Sequence, residues 1–240
     1  MSTVSTSRDR VIVGGGSIVV ATILFAAVFS YLAAAFGYPA VLDRPAADVL
    51  PALLALGTRG RIVWLVYGLI PLLLVPTALG VKEAAREAAP RLGRGVVWLA
   101  AFSALAMMTG LLRWPTLHWM LAQEWTSASP AARDVIASRF TTANLYLGNV
   151  TGEFAGELFL NGFFLTSSLA LSAGGPRRRW LAFLGVAASA LGWIAMLRNL
   201  TPLVAPVATL NNMVLPLWML TLGLVLTAQG VRFKERSSDA

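Results

Sequence analysis

Long uncharged apolar runs, separated by short charged or proline- and glycine-bearing stretches, organise the chain from end to end. Runs of about 18 or more apolar residues signal transmembrane helices, because a hydrocarbon core about 30 Å thick needs about 20 residues rising about 1.5 Å each. The pattern predicts six spans: Val11–Phe36, ended by Gly37-Tyr38-Pro39; Ile62–Val81; Gly95–Leu112; Leu145–Ser172; Trp180–Leu197; and Leu210–Val231. The fourth is apolar apart from Glu153 and Glu157. No charge occurs from Asn199 to Val231, but Pro202 and Pro206 break the start of that stretch. The residues before Leu210 are therefore expected to form a connection near the surface, with a re-entrant piece around Thr201–Ala208 as the alternative. The expected fold is an all-α, polytopic membrane helix bundle, a single transmembrane domain over residues 1–240.

Two of the loops predict structure of their own. Asp43–Gly57 has prolines near its start, then Leu53, Leu54 and Leu56, then Gly57 as a stop, which reads as a short interfacial helix. Ser129-Pro130 supplies a cap residue followed by proline at the first helical position, and Val135, Ile136 and Phe140 suggest an amphipathic turn or two leading into the fourth span. Trp114, Trp119 and Trp125 are expected in an aromatic belt at the outer boundary. Ala33-x-Ala35 resembles a signal-peptide cleavage site, yet the apolar stretch before it exceeds an ordinary h-region, so the first span reads as a retained helix.

Composition agrees with the pattern. Hydrophobic residues are 57% of the chain, charged residues 12%, and the mean hydropathy is +0.71, whereas a soluble domain carries about 25% charged residues. With no cysteine, disulfides, iron–sulfur clusters and thiolate zinc sites are excluded. The single histidine, His118, excludes a multi-histidine metal or haem site within one chain, and no cofactor or metal is expected. Both lysines, Lys82 and Lys234, lie in polar flanks, which excludes a retinal Schiff base inside a helix.

The net charge of +8 is an orientation signal. Of the 19 Lys and Arg, Met1–Arg10 holds two, Lys82–Arg94 four, Gly174–Arg179 three and Arg232–Ala240 three. Arg44, Arg59, Arg61, Arg113, Arg133, Arg139 and Arg198 fall on the other side. The positive-inside rule then places both termini in the cytoplasm of a bacterial cell, as a multi-pass inner-membrane protein with the bilayer, and no nucleic acid, as partner. Arg177-Arg178-Arg179 could also touch anionic headgroups, besides anchoring the topology.

The fourth span carries the chemistry. Asn149, Glu153, Glu157 and Asn161 recur every fourth residue, and on an α-helix they fall in a stripe roughly 120° wide. Gly148, Gly152 and Gly156 repeat beside them as a small-xxx-small seam for close helix packing. The polar stripe must face protein, since lipid offers it no hydrogen bonds. Entering near Tyr146, Glu153 would lie about 10 Å deep and Glu157 about 16 Å, near the midplane. Ionised carboxylates there are costly and mark functional sites by default. Arg113 and Arg198, at the outer ends of the third and fifth spans, are the candidate counter-ions, and both are expected to reach Glu153 more readily than Glu157. His118 is the nearby group that titrates near neutrality when unperturbed; a hydrogen-bonded interface role is its alternative.

Glu157-Leu158-Phe159-Leu160-Asn161-Gly162-Phe163 resembles the segment after the motif of membrane-embedded prenyl endopeptidases. Ala155-Gly156 stand where that family has a second glutamate, and Asn161 where it has arginine, so no proteolytic role carries over. Tyr38-Pro39-Ala40-Val41-Leu42-Asp43-Arg44-Pro45, Leu111-Leu112-Arg113-Trp114-Pro115 and Tyr146-Leu147-Gly148-Asn149-Val150-Thr151-Gly152-Glu153 resemble an uncharacterised bacterial membrane-protein family, a domain of unknown function. That resemblance implies a compact multi-helix membrane protein and brings no activity.

Three functions stay open. A buried acidic site could bind or transport a small polar or cationic ligand, or a proton. The glycine seam could instead pair with a partner helix or a second copy in a structural or signalling subunit. Glu153 and Glu157 could also act as acid and base in a membrane-embedded enzyme.

Overall fold

The computed structural model describes residues 2–238, with the side chains of residues 2–6, Asp43, Arg177, Asn199 and 232–238 left aside. The basic side chains of Arg177, Arg232, Lys234 and Arg236, counted above as orientation signals, lie outside the described residues. The fold is all-α, and no strand occurs among the described residues. Six helical stretches are long and apolar enough to cross a membrane: Ser7–Phe36, Gly57–Ala84, Pro90–Ser127, Pro130–Ser172, Arg179–Arg198 and Pro202–Val231. The protein is a multi-pass membrane protein.

In chain order the helices are α1 (Ser2–Phe36), α2 (Ala46–Ala55), α3 (Gly57–Leu69), α4 (Leu74–Ala84), α5 (Pro90–Leu112), α6 (Trp119–Ser127), α7 (Pro130–Ala143), α8 (Gly156–Ser172), α9 (Arg179–Ala195) and α10 (Ala205–Ser238). The short helix expected in the first long loop is α2, and Gly57 follows it at φ +61°, a backbone conformation that favours glycine. Ser129 caps α7 by accepting from the Ala132 N–H at 3.4 Å, with Pro130 at the first position.

Three spans run further than the apolar windows predict. The third passes straight through Arg113 into α6, by way of a π-helical turn at Trp114–His118. Pro115 provides no N–H and its ring crowds the carbonyl four residues back; the wider turn relieves that crowding, and the His118 N–H reaches the Arg113 carbonyl five residues back at 2.7 Å. The fourth begins at Pro130, and the amphipathic turns expected there are the full helix α7. The residues before Leu210 are helical and not an irregular connection: a single turn at Pro202–Val204 leads directly into α10. A proline costs little in a first helical turn, where its missing N–H would have had no partner.

A longer π-helical segment, Asn144–Ala155, joins α7 to α8. The Thr151 hydroxyl donates to the Tyr146 carbonyl five residues back at 2.8 Å, as the wider repeat requires. Gly148 and Gly152 lower the cost of leaving α geometry here. The 3.6-residue periodicity assumed for the polar stripe therefore fails over its first half.

The residues cluster into two compact units. The first comprises Met1–Ile23, Pro71–Leu105 and Phe154–Ala240. Within it α8 packs along α9, α9 against α10, and α4 against α8 and α10. Small residues let these backbones approach. A Cβ on Gly14 would sit 2.8 Å from the Gly80 Cα, Gly185 faces Ser168, Gly192 faces Asn161, and Ser189 between them is fully buried.

The second unit comprises Leu24–Ile70 and Ala106–Glu153. Its α2 rests on α6 and α7, and α3 on the Trp114–His118 turn. Trp64 and Trp114 stack at 4.8 Å, and Phe36 meets both edge-on at 6.0 and 5.7 Å. Trp114 and Trp119 are thus buried, not members of an aromatic belt. Rings at the end of one apolar window are free to pack inward once the helix continues past it. Trp125 remains partly exposed, under the Arg133 guanidinium at 5.5 Å.

Candidate functional site

The stripe Asn149, Glu153, Glu157, Asn161 divides between the two units, so each half has its own surroundings. In the first unit Glu157 stands in the opening turn of α8 and Arg198 in the 3₁₀ turn Met196–Asn199 that ends α9. Arg198 Nη1 donates to Glu157 Oε2 at 2.8 Å and Nη2 to Oε1 at 2.6 Å, a fork-on-fork pair. Their side chains are 33% and 18% exposed, so the pair is partly buried rather than sealed. Arg198 Nη1 also lies 3.3 Å from the Ala195 carbonyl.

The backbone under Glu157 is held from three directions. Ser103 Oγ donates to the Gly156 carbonyl at 3.0 Å, Asn161 Nδ2 to the Glu157 carbonyl at 2.8 Å, and Trp193 Nε1 to the Leu158 carbonyl at 3.2 Å. Asn161 has room for this because Gly192 opposite lacks a side chain. Asn161 therefore acts on Glu157 through the backbone, and the carboxylate is left to the guanidinium. The glycine–serine series Gly185, Ser189, Gly192 lets α8 and α9 close together, and its four- and three-residue spacing is the sequence signal for that approach.

In the second unit Arg113 is 5% exposed. Its Nη1 donates to the Gly110 carbonyl, and its Nη2 to Asn144 Oδ1 at 2.8 Å. Asn144 Nδ2 in turn donates to the Leu42 carbonyl at 3.3 Å. Glu153 interacts electrostatically with the same guanidinium. The guanidinium lies close against Gly148, where a Cβ would collide with it, and Gly152 meets Gly110 backbone to backbone. Gly148 and Gly152 are thus occupied within this chain; Gly156, at the head of α8, is buried and carries the Ser103 bond. Asn149 is half-buried on the π segment.

His118 is fully buried, its ring 4.6 Å from those of Trp114 and Phe140. Neither ring nitrogen has a hydrogen-bond partner among the described residues. Arg198 thus engages Glu157, the one expected to be harder to reach, while Arg113 is hydrogen-bonded to Gly110 and Asn144 and interacts electrostatically with Glu153. Arg198 sits at the end of α9, where the turn after Ala195 carries it back to the head of α8. Among the described residues no group of three or more His, Asp or Glu is placed to hold a metal ion.

Comparison with curated proteins gives no match, and none of the solved structures matches the chain. A family model does match, over residues 18–225, which takes in all six spans in whole or in part. The chain belongs to the family described as a domain of unknown function, DUF4386.

Proposed function

We propose that this membrane protein binds a small organic cation at Glu157, as a binding protein or transporter, with Arg198 as the cation that occupies the carboxylate when no ligand is bound. The observation that carries this reading is the two-pronged Arg198–Glu157 pair, 2.8 and 2.6 Å, between two membrane-spanning helices. Charges at such depth are expensive, and a well-packed apolar pair often serves stability as well or better. Their retention at partly exposed positions favours a carboxylate that exchanges partners. The resident guanidinium also supplies the ligand class: a planar, forked cation, or an ammonium of similar size. Both termini would lie on the cytoplasmic side of the inner membrane, as the placement of Lys and Arg supports.

Acid–base catalysis by the two glutamates draws less support, since the Glu157 carboxylate is held by Arg198 and Glu153 belongs to the other unit. Pairing with a partner helix through the fourth-span glycines draws less as well, because Gly148 and Gly152 are buried against Arg113 and Gly110 of the same chain.

The test is calorimetric titration of methylguanidinium into the protein in lipid nanodiscs. Glu157→Gln is expected to weaken binding about tenfold or more, the loss of a charge-assisted hydrogen-bond pair. Arg198→Ala, which removes the internal competitor, is expected to strengthen it. Equal affinity in wild type and Glu157→Gln would reject the site and leave the pair as a structural tie.

A further inference from the structure

A second polar site lies at the opposite end of α9, among the short basic segments. The turn between α8 and α9 and residues 225–229 of α10 border a cavity of about 500 Å³ lined by Gly174, Gly175, Arg178, Trp180, Val225 and Gln229, among others. All of these residues belong to the first unit. Among the described residues, none of those lining the cavity is acidic.

The sequence builds this shape. Gly175 sits at φ +142°, a conformation side chains rarely adopt, and it turns the chain so that the Arg178 N–H bonds back to the Gly175 carbonyl at 3.1 Å. The Arg178 guanidinium then lies over Gly174, where a Cβ would come within 2.9 Å of Nη1. Opposite stands Gln229, 7% exposed, whose Nε2 has no hydrogen-bond partner among the described residues. A buried amide donor left unpaired costs about 1–3 kcal/mol unless something accepts from it. The cavity therefore combines a guanidinium and an unmet donor with the N-terminal end of α9, where the helix dipole favours an anion. Val225 and Ala228 give it an apolar wall, and Trp180, half-exposed, stands at the rim. A cationic and donor-rich mouth above an apolar wall, at a helix end of a membrane protein, matches a phosphate ester attached to acyl chains.

We infer that this cavity binds the phosphate of an anionic phospholipid headgroup, with Arg178 and Gln229 as its ligands. The inference is independent of the Glu157–Arg198 reading, which concerns the other end of α9.

Native mass spectrometry of the purified protein tests it, with phosphatidylglycerol, phosphatidylcholine and glycerol 3-phosphate as probes. Phosphatidylglycerol is expected to be retained about tenfold more tightly than phosphatidylcholine, and Arg178→Gln to remove most of that preference. Gln229→Leu, close in volume, is expected to weaken retention several-fold. Gly174→Ala pushes the guanidinium aside without deleting it and should also reduce the preference. The unfolding midpoint measured without added lipid separates a lost site from a lost fold, and it should stay unchanged in Gly174→Ala. Equal retention of the two lipids, or an undiminished preference in both Arg178→Gln and Gly174→Ala, would overturn the inference. Binding of glycerol 3-phosphate as tight as that of phosphatidylglycerol would overturn the lipid as source and assign the cavity to a free phosphate ester.

Discussion

Replacing Arg113 by methionine is expected to destabilise the protein by about 3–5 kcal/mol, the range for removing one member of a buried charged network. The side chain is 5% exposed and joins three otherwise separate groups: the Gly110 carbonyl, the Asn144 side chain and the Glu153 charge. Methionine fills much of the volume, so the loss isolates polar pairing from cavity formation. Asn144 Oδ1 would lose its donor, and Glu153 would lose the cation it faces, in a setting where neither has cheap access to water. Arg113→Lys keeps the charge but not the fork, and is expected to recover only part of the loss. Unfolding midpoints in denaturant at fixed lipid-to-detergent ratio measure both. A loss below about 1 kcal/mol for Arg113→Met would mean that the network contributes little to holding the second unit together.

Gly152→Ala is the second large effect, about 3 kcal/mol or more, at the upper end of the cost of overpacking. The added Cβ would lie 2.7 Å from the Gly110 Cα and 3.1 Å from the Leu147 carbonyl. Both are backbone atoms, so no rotamer change relieves the clash, and two helices must separate. Gly16→Ala is the control. Nothing lies within 4 Å of a Cβ there, so the substitution should be neutral or stabilising by about 0.5–1 kcal/mol, the usual gain of alanine over glycine in a helix. Thermal unfolding of the two variants side by side should show opposite signs. A Gly152→Ala protein as stable as wild type would show that the Gly110–Gly152 approach is not close in the native protein.

The spans were legible because hydrophobic patterning reports how far a helix can run without charge. It does not report a charge that the fold itself neutralises. The third window stops at Arg113, yet the helix continues, since Arg113 finds the Gly110 carbonyl and Asn144. Trp114, next to it, turns inward onto Trp64, a pairing between distant helices that no local pattern carries. The polar stripe was visible at four-residue spacing, but the π segment Asn144–Ala155 shifts both the azimuth and the depth of Glu153 relative to a regular helix. Counting residues at a fixed rise accordingly gives Arg198 the wrong glutamate, whereas Arg113 interacts with Glu153 as expected. Asn161 was found through its spacing, whereas its task, bracing the Glu157 carbonyl, depends on the gap left by Gly192 on another helix. Of the cavity beside Gln229, Arg178 is visible in the sequence as part of a basic turn; Gln229 gives no signal because a lone amide near a helix end has many ordinary uses.

The most direct test of cation exchange at Glu157 is carboxyl labelling. The protein in nanodiscs is treated with a water-soluble carbodiimide and an amine, and modification at Glu157 is read by peptide mass spectrometry, with exposed Glu124 as internal reference. The chain has no cysteine to divert the reagent. If Arg198 is a displaceable occupant, Glu157 should label slowly, millimolar methylguanidinium should suppress that labelling, and Glu124 should be unaffected. A Glu157 that stays unreactive while Glu124 labels fully, or that labels identically with and without methylguanidinium, would contradict the exchange.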